Sequence, residues 1–263
     1  MLNNNYKIAN INFKSDYNLG SITEKFLSVD EYQIINNLFV VHEIEKQKVM
    51  EDMLLFETGN ISRILMYEDI YIMCDHKWRD VYFKLDNLEK EKTAIDIIFY
   101  THAVQRHMIQ LHSSLIATTD NRGLMFLGPS GIGKTTQAEL WHKYRDALII
   151  NGDIVFVQET EDAFLGWGTP WHGSSPYCEN TNVPVEALIV LKQAPENSIR
   201  ELTGFEKVSE VSNSVFYPRW LENGMELCLE TLDHLLSKLP VYELRCRPDE
   251  DAVRLTEETI FKN

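Results

Sequence analysis

The sequence predicts an α/β protein with a β-rich leader. Three observations carry this. The first part of the chain offers short apolar runs broken by turn residues. The pattern changes after Met108, where strand-like and helix-like stretches alternate. The glycine-rich run Gly128–Thr135 stands where an apolar strand ends and a helix begins. The 263 residues carry 44% hydrophobic and 11% aromatic side chains, enough for a real core.

Taken in order, residues 6–14 (YKIANINFK) alternate as a strand does, and Leu38–Ile44 is an apolar run rich in branched residues. Within 52–84 the runs MLLF, SRILMY, YIMC and VYFKL are separated by Gly59-Asn60, Glu68-Asp69 and 77–80, which reads as an antiparallel meander. Thr93–His107 suits a helix. A boundary is expected at the charged run NLEKEK, giving a β-rich region 1–90 and a nucleotide-binding domain 91–263. Leu111–Thr118 and Leu124–Leu127 read as a hairpin closed by Asp120–Gly123, where Asn and Gly accept positive φ. Helices are expected at Thr135–Tyr144, Lys207–Ser214, Met225–Lys238 and Asp249–Phe261. Strands are expected at Ala147–Asn151, Ile154–Gln158, Ala163–Trp167, Val185–Lys192 and Val241–Cys246.

The formal net charge is −15, with acidic residues spread along the chain, so nucleic acid and anionic membrane are poor partners. Four scattered cysteines (Cys74, Cys178, Cys228, Cys246) form no CxxC pair. This argues against zinc and disulfides and for a reducing cytoplasm. No run approaches the ~20 apolar residues of a membrane span, and the N-terminus lacks the apolar core of a secretory signal.

Gly128-Pro129-Ser130-Gly131-Ile132-Gly133-Lys134-Thr135 fits G-x-x-x-x-G-K-[ST] throughout. Glycines let the backbone wrap closely around phosphate oxygens, and successive N–H groups converge on the β-phosphate. Lys134 is expected to reach the β- and γ-phosphates, Thr135 to ligate Mg²⁺ and Thr136 to contact the α-phosphate. Asp153 ends the apolar strand ALIIN in the run Asn151-Gly152-Asp153. It is the leading candidate for a carboxylate that binds Mg²⁺ or accepts an acceptor proton. His112, in the strand before the loop, is placed to orient Asp153 or the acceptor. The run WGTPWHGSS combines proline, glycines, indoles and hydroxyls, and Thr169, His172 and Ser174 are its candidate substrate contacts. Arg245 and Arg247 follow a late strand and are candidates for phosphate or adenine.

The run LHSSLIATTDNRGLMFLGPSGIGKTT resembles the nucleotide-binding core of HPr serine kinase/phosphorylase and its relatives. It looks nearest to the HPr-kinase-like, or phosphoenolpyruvate-carboxykinase-like, proteins. The NGD run, GTPW with Gly173, the Glu196-Asn197 pair and the ending PVYELRCRPDEDAV extend the likeness over about residues 108–255. The resemblance implies a carboxykinase-type P-loop domain with a mixed β-sheet. It also implies ATP and Mg²⁺ as cofactors, transfer of the γ-phosphate to a serine-type hydroxyl, and a tendency to oligomerise. By position it implies phosphate and Mg²⁺ roles for Lys134 and Thr135, a catalytic role for Asp153, and His112 as its neighbour. The family has two adjacent aspartates where this chain has Gly152-Asp153, and no counterpart of its arginine-bearing phosphorolysis loop is evident. The expected activity is therefore a kinase acting on a protein, peptide or small molecule. The alternatives are a nucleotide-binding scaffold with a degenerate centre and a phosphoenolpyruvate carboxykinase.

Overall fold

The computed structural model describes residues 4–16, 18–28, 37–43, 63–67, 70–84 and 88–261. The expected run MLLF falls outside them. The chain is a mixed α/β protein of two compact units, Met1–Ala103 and Val104–Asn263.

In the first unit six strands pair in the order β1-β2-β3-β6-β5-β4. They are β1 (Asn4–Ile8), β2 (Ile11–Ser15), β3 (Phe39–Glu43), β4 (Arg63–Tyr67), β5 (Ile70–Cys74) and β6 (Asp80–Lys84). The single strand expected over 6–14 is a hairpin. Its alternation continues on both sides of Ala9 and Asn10, whose φ values of 43° and 62° give the two-residue turn a mirror-image twist. Strands β4, β5 and β6 form the expected antiparallel meander, while β3 joins β2 and β6 in parallel. Helix α1 (Leu88–Val104) starts earlier than expected, because the charged run is its first turn, with Glu89 and Glu91 at the positive end of the helix dipole. Its His102 stacks on Phe39 and donates from Nε2 to the Trp78 carbonyl at 2.9 Å, as a core histidine does.

The second unit is organised by two long strands that each serve two sheets. The first half of β7 (Met108–Ala117) pairs with β10 (Ile154–Glu159). Its second half pairs with β8 (Gly123–Leu127) and β9 (Leu148–Asn151). Strand β12 (Asn182–Gln193) starts against β11 (Phe164–Trp167) and continues between β8 and β15 (Val241–Cys246), parallel to both. Strands β10 and β11 pair with each other, so β7, β8, β12, β11 and β10 form a closed ring. Two strands were missed by sequence patterning. Strand β13 (Ser198–Glu201) is polar and, among the described residues, pairs only with β15, and β14 (Val215–Phe216) is two residues long and pairs with β7.

Helices α2 (Lys134–Arg145) and α5 (Glu250–Ile260) pack on each other and on a cluster that includes Phe126, Trp141, Ile189, Leu244 and Val253. Asp249 caps α5 by accepting from the Ala252 N–H at 3.0 Å. Helices α3 (Gly204–Ser212) and α4 (Gly224–Lys238) complete the unit. All four cysteines are free and buried, so none contributes a cross-link. No helix among the described residues is long and apolar enough to cross a membrane.

Candidate functional site

Strand β8 is buried at every residue and runs parallel to β12, so the loop after it emerges at the carboxyl end of a parallel strand pair. That edge is where α/β sheets place ligands. Gly128, Gly131 and Gly133 have φ values of 137°, 79° and 115°. A Cβ at Gly131 or Gly133 would touch nothing within 4 Å, so these positions need glycine for backbone angle and not for room. Gly133 is also the N-cap of α2, whose first turn carries no acidic residue. The free N–H groups of that turn and the helix dipole therefore favour an anion there.

Lys134 is buried and lies over the loop, donating to the carbonyls of Gly128 at 3.0 Å and Pro129 at 3.3 Å. Burial pushes its pKa down, and the nearby Asp153 charge opposes that shift. Thr135 Oγ1 donates to the Gly152 carbonyl at 3.2 Å, which ties the loop to the turn after β9. From the strand beneath, Ser114 Oγ donates to the Lys134 carbonyl at 3.0 Å.

That turn is held by Asn151, which is fully buried. Its Oδ1 accepts from the N–H groups of Asp153 and Ile154 at 2.8 and 3.0 Å. Its Nδ2 donates to the carbonyls of Thr169 and Trp171 at 3.0 and 3.3 Å. One amide thus fixes both the turn that presents Asp153 and the segment facing it. His112 sits where β7 passes from one sheet to the other, and its Nε2 donates to Asp153 Oδ1 at 2.9 Å. The His112 hydrogen bond holds the Asp153 carboxyl below its ordinary range, helped by charge from His112, Lys134 and His172, while burial acts against it.

Two clefts flank the loop. The larger, about 560 Å³, is lined by Gly131–Gly133, Thr136, Gln137, the end of β12 and the turn Cys246–Pro248. Asn197 fixes that turn by accepting from the Arg247 N–H and donating to Asp249, both at 2.8 Å. Gln137 Nε2 donates to Cys246 Sγ at 3.2 Å, and burial pushes the Cys246 thiol up to about 11. The smaller cleft, about 270 Å³, is lined by Thr135, Glu139, Gly152, Asp153, His172, Ser174, Ser175 and Pro176.

Of the residues singled out in the sequence, the smaller cleft brings together Thr135, Asp153, His172 and Ser174, with His112 behind Asp153. Loop residues Gly131, Ile132, Gly133 and Thr136 line the larger cleft, and Gly128, Pro129, Ser130 and Lys134 complete the turn. Thr169 faces inward. It is fully buried, and its hydroxyl donates to the Ile154 carbonyl at 2.8 Å, so it clasps the two segments instead of lining the cleft. Arg247 borders the larger cleft, whereas Arg245 pairs with Glu243 at 3.0 Å. Sequence reasoning left Ser114, Asn151, Gln137 and Glu139 without roles. Only Asn151 carried a signal, as a polar residue closing the apolar strand ALIIN.

No cluster of three or more His, Cys, Asp or Glu side chains suited to a metal occurs among the described residues. One carboxylate, one hydroxyl and the oxygens of a bound phosphate do match what Mg²⁺ takes, since it keeps waters and shares its shell with substrate. Asp153 and Thr135 supply that pair from one cleft.

No family model matches the chain, and no curated protein matches it. Among solved structures, the HPr(Ser) kinase/phosphatase from Coxiella burnetii is similar over 58% of this chain and 87% of that one. The identity is 11% and the TM-score 0.34. An overlap that loose carries no functional weight, and function rests on the site's own geometry.

Proposed function

We propose that the chain is an ATP-dependent kinase of the HPr-kinase-like P-loop type, moving the γ-phosphate to a hydroxyl, serine in the first instance. The observation that carries this reading is the His112–Asp153 pair, 2.9 Å apart, in a cleft shared with Thr135 beside the glycine loop. Phosphoryl transfer needs little covalent help from the protein, and positioning with charge compensation supplies most of it. The loop N–H groups and Lys134 bind the phosphates. The larger cleft takes the rest of the nucleotide, and Asp153 orients the incoming hydroxyl. Thr135 and Asp153 would hold Mg²⁺, which would supply charge neutralisation on the transferring group. His112 donates to Asp153 and keeps one carboxylate oxygen turned towards the cleft.

The test is transfer from labelled ATP with Mg²⁺ to pools of seryl peptides and small alcohols. Asp153→Asn is expected to abolish transfer and keep nucleotide binding. Full transfer by that variant would sink the reading.

A second reading, a nucleotide-binding scaffold, is favoured by Gly152. A Cβ there would lie 2.0 Å from Ser175 Oγ, so no second carboxylate can occupy the position as the chain is folded. Nucleotide binding with no transfer to any acceptor would select it.

A further inference from the structure

We propose that Ser174 is a phosphorylation site of the chain itself, modified by its own cleft; this rests on the kinase reading above. The segment after Trp171 is pressed against the carboxylate. Gly173 has φ 59°, and a Cβ on it would lie 2.5 Å from Asp153 Oδ2. Consecutive Cα atoms are about 3.8 Å apart, so Ser174 follows directly on the residue that packs against Asp153. It lines the same cleft as Thr135 and Asp153.

The other hydroxyls near the cleft are engaged. Thr135 donates to Gly152, and Ser175 is buried, with its Oγ accepting from the Tyr177 N–H at 3.1 Å. Ser174 is exposed and has no hydrogen-bond partner among the described residues. The turn is fixed from both sides, because His172 Nδ1 donates to the Ser175 carbonyl. The cleft's 270 Å³ lies just below the roughly 300–1,000 Å³ of small-molecule sites. A phosphoryl group and one seryl side chain suit that space.

Ser174 Oγ forms a bond to the γ-phosphorus of ATP, the bond from that phosphorus to the β,γ-bridging oxygen breaks, and ADP leaves. The seryl proton leaves to solvent through the open cleft, while Asp153 orients the hydroxyl. The product places a charge of about −1.5 to −2 beside Asp153, and the single hydroxyl of Ser174 is then used up. The modification is therefore self-limiting, one group per chain.

The experiment incubates the full chain with ATP and Mg²⁺, follows intact mass and ADP, and maps the label by fragmentation. A burst of ADP with a single phosphoryl group on Ser174 is expected. Its first-order rate should not depend on protein concentration, because the hydroxyl lies in its own chain's cleft. Ser174→Ala should lose label and burst, and Ser174→Thr should carry the label on the new hydroxyl. Nucleotide-induced thermal shifts confirm that each variant is folded. A label on another residue, or a rate that rises with protein concentration, would overturn the inference. ADP release with an unmodified chain overturns it too but leaves the kinase reading standing. Nucleotide binding with neither ADP nor label in any mixture sinks both.

Discussion

The glycine loop and the smaller cleft beside it are built in opposite ways. The loop is one consecutive stretch running into the first turn of α2, even though the larger cleft on its other side also takes in the end of β12 and the turn after β15. The smaller gathers side chains from α2, the turn after β9 and the segment 172–176, with His112 of β7 behind them. A phosphate-binding loop is largely a local object, since glycine angles and helix N–H groups suffice. A site that must aim one carboxylate depends on contacts between segments, and here Asn151 ties the turn that carries Asp153 to the Thr169 and Trp171 carbonyls.

Removing one functional group from each side separates the two roles. Asp153→Asn should lower transfer by about 10²–10⁴-fold, the usual worth of a positioned acid–base group, while nucleotide still raises the melting temperature. Lys134→Ala should lower transfer by about 10²–10³-fold, as loss of one preorganised donor does, and should also shrink the nucleotide-dependent thermal shift. Steady-state kinetics with thermal melts would check both. An unchanged thermal shift in Lys134→Ala would mean that the division between phosphate-binding and acceptor sides is misdrawn.

The next contrast concerns stability. Asn151→Ala strands the N–H groups of Asp153 and Ile154 and the carbonyls facing them. Unsatisfied buried polar groups cost about 1–3 kcal/mol each, so the four stranded groups set an expected loss of about 4 kcal/mol at the low end in chemical denaturation, with transfer lost alongside. Gly152→Ala should cost about 2 kcal/mol, because its Cβ would lie 2.0 Å from Ser175 Oγ and overpacking of this kind costs about 1–3 kcal/mol. Gly131→Ala makes the matching probe on the loop, since its Cβ meets nothing and only its φ of 79° resists the change. A Gly152→Ala chain as stable as the parent would show that the Ser175 turn yields easily.

These contrasts also explain what could be read from the sequence. The loop, the β7–β8 hairpin and the helix after it were legible because each is specified by neighbours in the chain. Asp153 was legible because it ends an apolar strand. The clasp from Asn151 to Thr169 and Trp171 was not, because it joins residues 18 and 20 apart that no periodicity links. For the same reason Thr169 reads as a ligand contact in a loop of suggestive composition, yet its hydroxyl is spent on Ile154. Strand β13 was hidden by polar side chains on an edge, and β14 by its length. Neither β7 nor β12 announces that its two halves belong to different sheets, since each reads as a single strand.

The smallest expected effect tests the His112–Asp153 pair without any substrate. The folded-state pKa of Asp153 is depressed below its ordinary value of 3.8, chiefly by the His112 hydrogen bond. Above that ordinary value the carboxylate is charged in both states, and the stability from the pair is fully present. As the pH falls below 3.8, the unfolded chain takes up a proton first and folding loses ground, until the folded carboxylate also protonates at its lower pKa. Partly exposed pairs contribute about 0–1 kcal/mol, so the acid limb should be shallow. In Asp153→Asn that part of the limb should vanish, and in His112→Gln it should shrink, because the main cause of the depression is gone. Melting temperatures of the three chains from about pH 2 to pH 6 would show it. Identical acid limbs in all three would mean that the 2.9 Å contact does not hold the carboxylate in solution, and that some other contact keeps Asp153 facing the cleft.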